Sequence, residues 1–162
     1  MENKERVYDQ THVAHQPRVY MCFSTDIIHS GHIAIIQKAA QLGRVTVGVL
    51  SDEAVANFKR FPLVPYAERK ALIENIRGVA EVVEQKQLSY VENLRALKPD
   101  YVVHGDDWKE GFQKAIRDEV IGVLVEYGGR LVEYPYAKDD KYQDIEKTIA
   151  RNWRCRICAA DN

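Results

Sequence analysis

The four residues His29-Ser30-Gly31-His32 concentrate more reactive chemistry than any other stretch of the chain. Two imidazoles three positions apart share one face if a helix begins near His29, and the first turn of a helix also presents backbone N–H groups with no partner inside it. Such helix starts attract phosphate. Gly31 removes a side chain where a phosphate must approach closely, and Ser30 adds a short hydroxyl donor. The pattern suits hydrogen bonding to phosphoryl oxygens. A metal site is the competing chemistry, but no Cys or His follows at ligand spacing, and His104 would have to arrive from another strand to complete it. Chance proximity of two histidines is the third reading.

The surrounding pattern supplies elements that can hold this turn in place. Val19-Tyr20-Met21-Cys22-Phe23 is an apolar run suited to a strand, and Ile33, Ile36 and Ala40 then recur at helical spacing up to Gly43. Val45 to Leu50 reads as a strand covered on both faces. Ser51-Asp52 can cap a helix to about Phe58, and a stronger helix is predicted over Tyr66 to Ile76, after Pro62 and Pro65. Val79 to Glu84 is a further short strand, Tyr90 to Leu97 a helix ending before Pro99, and Tyr101 to His104 a strand. Gln113 to Tyr127 is the last helix, closed by Gly128-Gly129, and Arg130 to Tyr134 the last strand.

Strands alternating with helices predict a single α/β domain around a doubly wound parallel sheet. Ligands in such sheets collect at the carboxyl ends of the strands, where the strand order reverses. Ser24 to His32, Ser51-Asp52 and His104 to Trp108 all follow strands.

Residues 1–16 are polar, lack apolar periodicity and are expected to form a flexible N-terminal arm; the domain is expected over 17–137, with 138–162 as a C-terminal tail. With 23 Lys+Arg against 24 Asp+Glu, the formal net charge is -1, which carries no bulk signature of nucleic-acid or membrane partners. No apolar run reaches the roughly 20 residues that span a bilayer, and the charged start MENKERVYDQ does not read as a signal peptide, so a cytoplasmic location is expected. Cys22, Cys155 and Cys158 are an odd set of cysteines, read as reduced thiols. The lone Cys155-Arg156-Ile157-Cys158 pair is weak as a redox or metal half-site.

The stretch CFSTDIIHSGHIAIIQKAAQLG resembles the signature segment of the HxGH nucleotidyltransferase superfamily, in its cytidylyltransferase branch. VGVLSDE, YAERKALIENIRGVAEVV and YVVHGDDW followed by Lys109 agree in order and spacing over about residues 18–136. Together they are similar to glycerol-3-phosphate cytidylyltransferases, and more closely to the cytidylyltransferase domains found with phosphoenolpyruvate mutase in phosphonate biosynthesis. The resemblance implies a Rossmann-like fold, CTP as substrate with Mg2+ carried mostly by water and phosphate, and a small phosphonate or phosphate as acceptor. It also implies a homodimer, for which the Tyr66 to Ile76 helix offers an apolar face, and possible company of a phosphoenolpyruvate mutase.

On the same resemblance, His29 and His32 contact the triphosphate, and Lys59 reaches the phosphates, with Arg60 as its neighbouring candidate and a solvated helix-end charge as the alternative for both. Phe23, Ser24, Thr25, Asp26 and Gly31 belong to the nucleotide-binding segment, as do His104, Gly105, Asp106, Asp107 and Trp108 beside base and ribose. Asp26 either orients the histidines or stabilises the turn, and the carboxylates of Asp106 and Asp107 also suit helix caps. Arg69 and Tyr136 fall where the acceptor is bound, although an i,i+4 partner is a second reading for Arg69. No dedicated protein metal cage is implied.

One departure stands out. The family continues after its last strand into a Gly-Ile-Ser-Ser/Thr-Thr-like helix start that binds the outer phosphates, whereas here Tyr136-Ala137-Lys138-Asp139-Asp140-Lys141-Tyr142 occupies the place. The acidic pair would repel phosphate. An enzyme with a rebuilt phosphate grip and a nucleotide-binding domain without turnover both fit that change; the intact HSGH and GDDW segments favour the enzyme. Tyr136, where the glycerol-phosphate group carries arginine, favours a phosphonate such as 2-hydroxyethylphosphonate or 2-aminoethylphosphonate.

Overall fold

The computed structural model describes residues 16–24, 27–58, 60–135, 144, 145 and 148. The β-branched runs form strands β1 (Arg18–Phe23), β2 (Arg44–Leu50), β3 (Val79–Gln85), β4 (Tyr101–Gly105) and β5 (Arg130–Tyr134). Between them lie α1 (Ser30–Leu42), α2 (Asp52–Phe58), α3 (Tyr66–Glu74), α4 (Val91–Leu97) and α5 (Lys114–Tyr127). The strands make one 5-stranded sheet in the order β3-β2-β1-β4-β5, every neighbouring pair parallel. The order reverses between β1 and β4. Connections there leave toward opposite faces, which opens a crevice above the carboxyl ends of these two strands.

Alternation along β1 divides the core in two. Val19, Met21 and Phe23 face α1 and α3, packing with Ile35, Ile36, Ala39 and Ile73. Tyr20 faces the other way, toward Tyr90, Leu94, Val120 and Leu124 of the α4 and α5 layer. Its hydroxyl donates to Gln85 Oε1 at 2.6 Å and accepts from Asn93 Nδ2 at 2.8 Å. This buried polar group is fully partnered, as burial demands. Gly48 makes room for it: a Cβ there would lie 2.0 Å from the Tyr20 hydroxyl oxygen.

Several element ends differ from the sequence expectation by one residue, and the end of α3 differs by two. Helix α3 stops at Glu74 rather than Ile76 because its hydrogen bonding tightens: Asn75 N–H reaches Leu72 O at 3.3 Å and Ile76 N–H reaches Ile73 O at 3.0 Å. Gly78, at φ 101, then turns the chain into β3. Residues Asp106–Trp108 form a single 3₁₀ turn just past β4. Among the described residues no helix is long and apolar enough to cross a membrane.

Candidate active site

His29 is the N-cap of α1, with extended backbone at φ -135 and ψ 175. Its Nδ1 accepts the Gly31 N–H at 3.1 Å, while the His29 N–H donates to His32 Nδ1 at 3.4 Å. This is the reciprocal geometry of a capping box, built from two imidazoles. It has a chemical consequence. A ring nitrogen that accepts a backbone N–H cannot carry a proton, so in each neutral ring the proton sits on Nε2, which becomes a donor. The rings stand side by side, centroids 4.0 Å apart and planes 52° apart, and the Phe23 edge supports His32 at 5.1 Å.

Gly31 has a second reason to be glycine beyond clearance for a phosphate. A Cβ there would lie 2.8 Å from His29 Cε1, so any side chain would push the capping ring off the helix start.

At the end of β4, His104 lies flat on Trp108, centroids 3.7 Å apart and planes 5° apart. Trp108 is only 1 % exposed and belongs to the core of the α4 and α5 layer. Its indole N–H donates to Glu133 Oε1 at 2.7 Å. Arg117 grips the same carboxylate through Nε and Nη2 at 2.8 and 3.0 Å, and Lys109 Nζ lies 3.7 Å away. The Arg117 hydrogen bonds, helped by those from Trp108 and by Lys109, hold the Glu133 carboxyl down to about 2. The side chains of Phe23 and Trp108 sit in the core and back His32 and His104.

A third group lies beyond β2. Ser51 Oγ accepts the Ala54 N–H at 3.1 Å and caps α2, as its position suggested. Arg69 is 2 % exposed; its Nε donates to Val64 O at 2.9 Å and its Nη2 to Asp52 Oδ1 at 2.7 Å. The i,i+4 reading of Arg69 is therefore replaced by a partner 17 residues away. Its remaining nitrogen, Nη1, is buried with no hydrogen-bond partner among the described residues. Cys22 lies near enough to feel this guanidinium, yet burial pushes its thiol up to about 12.

The structure thus gathers His29, Gly31 and His32 at one turn, and His104, Gly105, Asp106 and Asp107 at the end of the adjacent strand. Ser24 lies half-buried just past β1. Thr25, Asp26, Lys59 and Tyr136 lie outside the described residues, as do Cys155 and Cys158. Sequence reasoning missed Glu133, Arg117 and Asp52 as supports. For Glu133 the signal was a lone carboxylate between Leu131-Val132 and Tyr134 in an apolar strand.

A five-stranded parallel sheet that reverses at β1 and β4, with an HxGH turn at the start of α1, defines the nucleotidyltransferase class of α/β fold. A solved lipopolysaccharide core biosynthesis protein from Thermoplasma volcanium superposes with a TM-score of 0.64 at 23 % identity, covering 76 % of this chain and 99 % of that one. Pantothenate synthetase from Thermus thermophilus does so at 0.53 and 12 % identity, covering 74 % and 56 %. At such identities the likeness concerns the fold.

Residues 22–157 match the family model described as "Cytidylyltransferase-like", and the chain belongs to that family. It is 33 % identical over 96 residues to ethanolamine-phosphate cytidylyltransferase from Arabidopsis thaliana, covering 56 % of this chain and 23 % of that protein. It is 34 % identical over 138 residues to the bifunctional protein HldE of Desulfatibacillum aliphaticivorans, covering 82 % and 26 %. Identity to FAD synthase from Methanopyrus kandleri is 33 % over 134 residues, covering 80 % and 89 %. The match to the first two thus spans only about a quarter of their length.

Proposed function

We propose that this chain transfers CMP from CTP to an oxygen of a small phosphonate, of the 2-aminoethylphosphonate or 2-hydroxyethylphosphonate type. The observation that carries the reading is the pair of imidazoles at the start of α1, each neutral ring holding its proton on Nε2 because its Nδ1 accepts a backbone N–H. The acceptor oxygen attacks the α-phosphorus, a new P–O bond forms, and the bond to the bridging oxygen breaks as pyrophosphate leaves. No side chain need act as nucleophile. The transfer needs in-line placement and donors aimed at oxygens that gain charge, which two fixed Nε2–H groups supply. No protein cage is assigned to magnesium; carried by the triphosphate, it would supply neutralisation of charge on the leaving pyrophosphate. Lys59 is the further candidate for the phosphates.

Arg69 supports the acceptor half of the reading. A buried guanidinium nitrogen left unpartnered is costly, and an anionic oxygen is the partner that suits it. Ethanolamine phosphate, which the Arabidopsis relative is named for, shares its aminoethyl group with 2-aminoethylphosphonate. A second reading, an adenine nucleotide joined to FMN, is favoured by the match over 89 % of the FAD synthase.

Incubation with magnesium, α-labelled CTP and each of 2-aminoethylphosphonate, 2-hydroxyethylphosphonate and glycerol 3-phosphate, with ATP plus FMN as a further arm, tests this. Pyrophosphate release with a phosphonate is expected. Release with ATP and FMN alone overturns the assignment of CTP, and CTP binding without release in any arm makes the chain a nucleotide-binding domain.

A further inference from the structure

Two aromatic rings outside the core meet at the carboxyl edge of the sheet. Phe58 ends α2, the helix that follows β2, and Phe112 lies in the short link between the 3₁₀ turn after β4 and the start of α5. Their centroids are 5.4 Å apart and their planes 44° apart. In the sheet β1 lies between β2 and β4, so the pair joins segments that rise on either side of β1. The His29 to His32 turn follows the end of that same strand. The rings therefore bridge the rim of the crevice.

Burial does not explain this contact. Phe112 is 67 % exposed, Phe58 is half-buried, and neither packs with the buried clusters among the described residues. A ring left so open gains little from leaving water. The backbone is nonetheless shaped to bring it there. Gly111 stands at φ 74, and a Cβ added to it would meet nothing within 4 Å. Glycine is needed at this position for the direction of the chain rather than for space. The two anchors also differ in firmness. Ser51 caps α2, and Ala54 and Val55 pack on Leu50, whereas Phe112 sits beside a glycine on an open link.

We propose that Phe58 and Phe112 form a latch at the crevice, which parts at the Phe112 side to let a nucleotide enter or leave and does not itself touch the nucleotide. This rests on the nucleotidyltransferase reading above. An exposed aromatic pair biases the two segments toward contact by about two- to tenfold. The latch is thus closed most of the time yet opens readily. A closed latch hinders traffic in both directions, so its loss speeds entry and exit by the same factor and leaves affinity unchanged. A ring that held the nucleotide would act on exit alone.

Stopped-flow mixing of the full chain with magnesium and CTP labelled on the ribose with N-methylanthraniloyl gives both rate constants. Phe58→Ala, Phe112→Ala and the double variant remove the contact, Gly111→Ala misdirects Phe112 with both rings retained, and Phe112→Tyr keeps the ring. Each alanine variant should associate and dissociate about two to ten times faster, with Kd kept within about twofold. The double variant should be no faster than either single one, because all three lose the same contact. Phe112→Tyr should keep the wild-type rates, and circular dichroism should be unchanged throughout.

Faster dissociation with unchanged association overturns the latch, because the ring would then be holding the nucleotide. Effects that add in the double variant overturn it as well. A wild type that does not bind the labelled nucleotide overturns the broader reading together with this one. Binding with the same rates in every variant overturns this one alone.

Discussion

Replacing Glu133 by Gln isolates what its charge contributes. The amide keeps the shape and leaves an oxygen for the Trp108 indole N–H, but it removes the charge that Arg117 grips through two hydrogen bonds. The Glu133 carboxyl is held at about 2, against an ordinary 4.5. Such a depression corresponds to at most about 3 kcal/mol of folding stability at neutral pH. The side chain is 14 % exposed at the rim of the sheet, and with screening there about 2 kcal/mol is the expected effect. A depressed carboxylate stabilises the fold above its unfolded value and loses that contribution as pH falls through the folded one. The window is therefore about 4.5 down to 2. Urea unfolding of the wild type and Glu133→Gln should differ by the full amount at pH 7, and by less than half of it at pH 3. An equal difference at both pH values would refute the argument, because the Arg117 pair would then contribute nothing that depends on the carboxylate charge.

Gly31→Ala should leave the fold intact by circular dichroism yet lower nucleotidyl transfer about a hundredfold or more, since the added Cβ displaces the His29 ring; undiminished turnover would contradict the role given to that ring. Gly48→Ala should cost about 1–3 kcal/mol in thermal unfolding, because its Cβ collides with the Tyr20 hydroxyl. Cys22, half-buried and pushed up to about 12, should react slowly with iodoacetamide at pH 8 in the folded protein and faster after unfolding, as read by peptide mass mapping; equal rates before and after unfolding would contradict the raised thiol.

Most of the architecture was legible because it depends on local periodicity. Runs such as Val45 to Leu50 can be strands under cover and little else, and Gly43 and Gly128 mark helix ends that the structure bears out. The HSGH turn was equally legible, since its geometry is set within four consecutive residues. What could not be read were contacts that join distant segments. The pairing of Asp52 with Arg69 spans 17 positions, and that of Trp108 with Glu133 spans 25. Nothing in the spacing of Gly105-Asp106-Asp107-Trp108 says that the indole turns inward while the carboxylates stay at the crevice. That outcome depends on α5 packing over the face that Tyr20 and Val102 share.

The imidazole that begins α1 cannot be tuned independently of the helix it begins. Its inner nitrogen is bound to the first turn, so fraying of that turn would free the ring to rotate and its hydrogen to move to the other nitrogen. Local order at residues 29–33 and readiness for chemistry therefore rise and fall as one quantity. Slowed amide exchange at Gly31 and Ile33 would report on both at once.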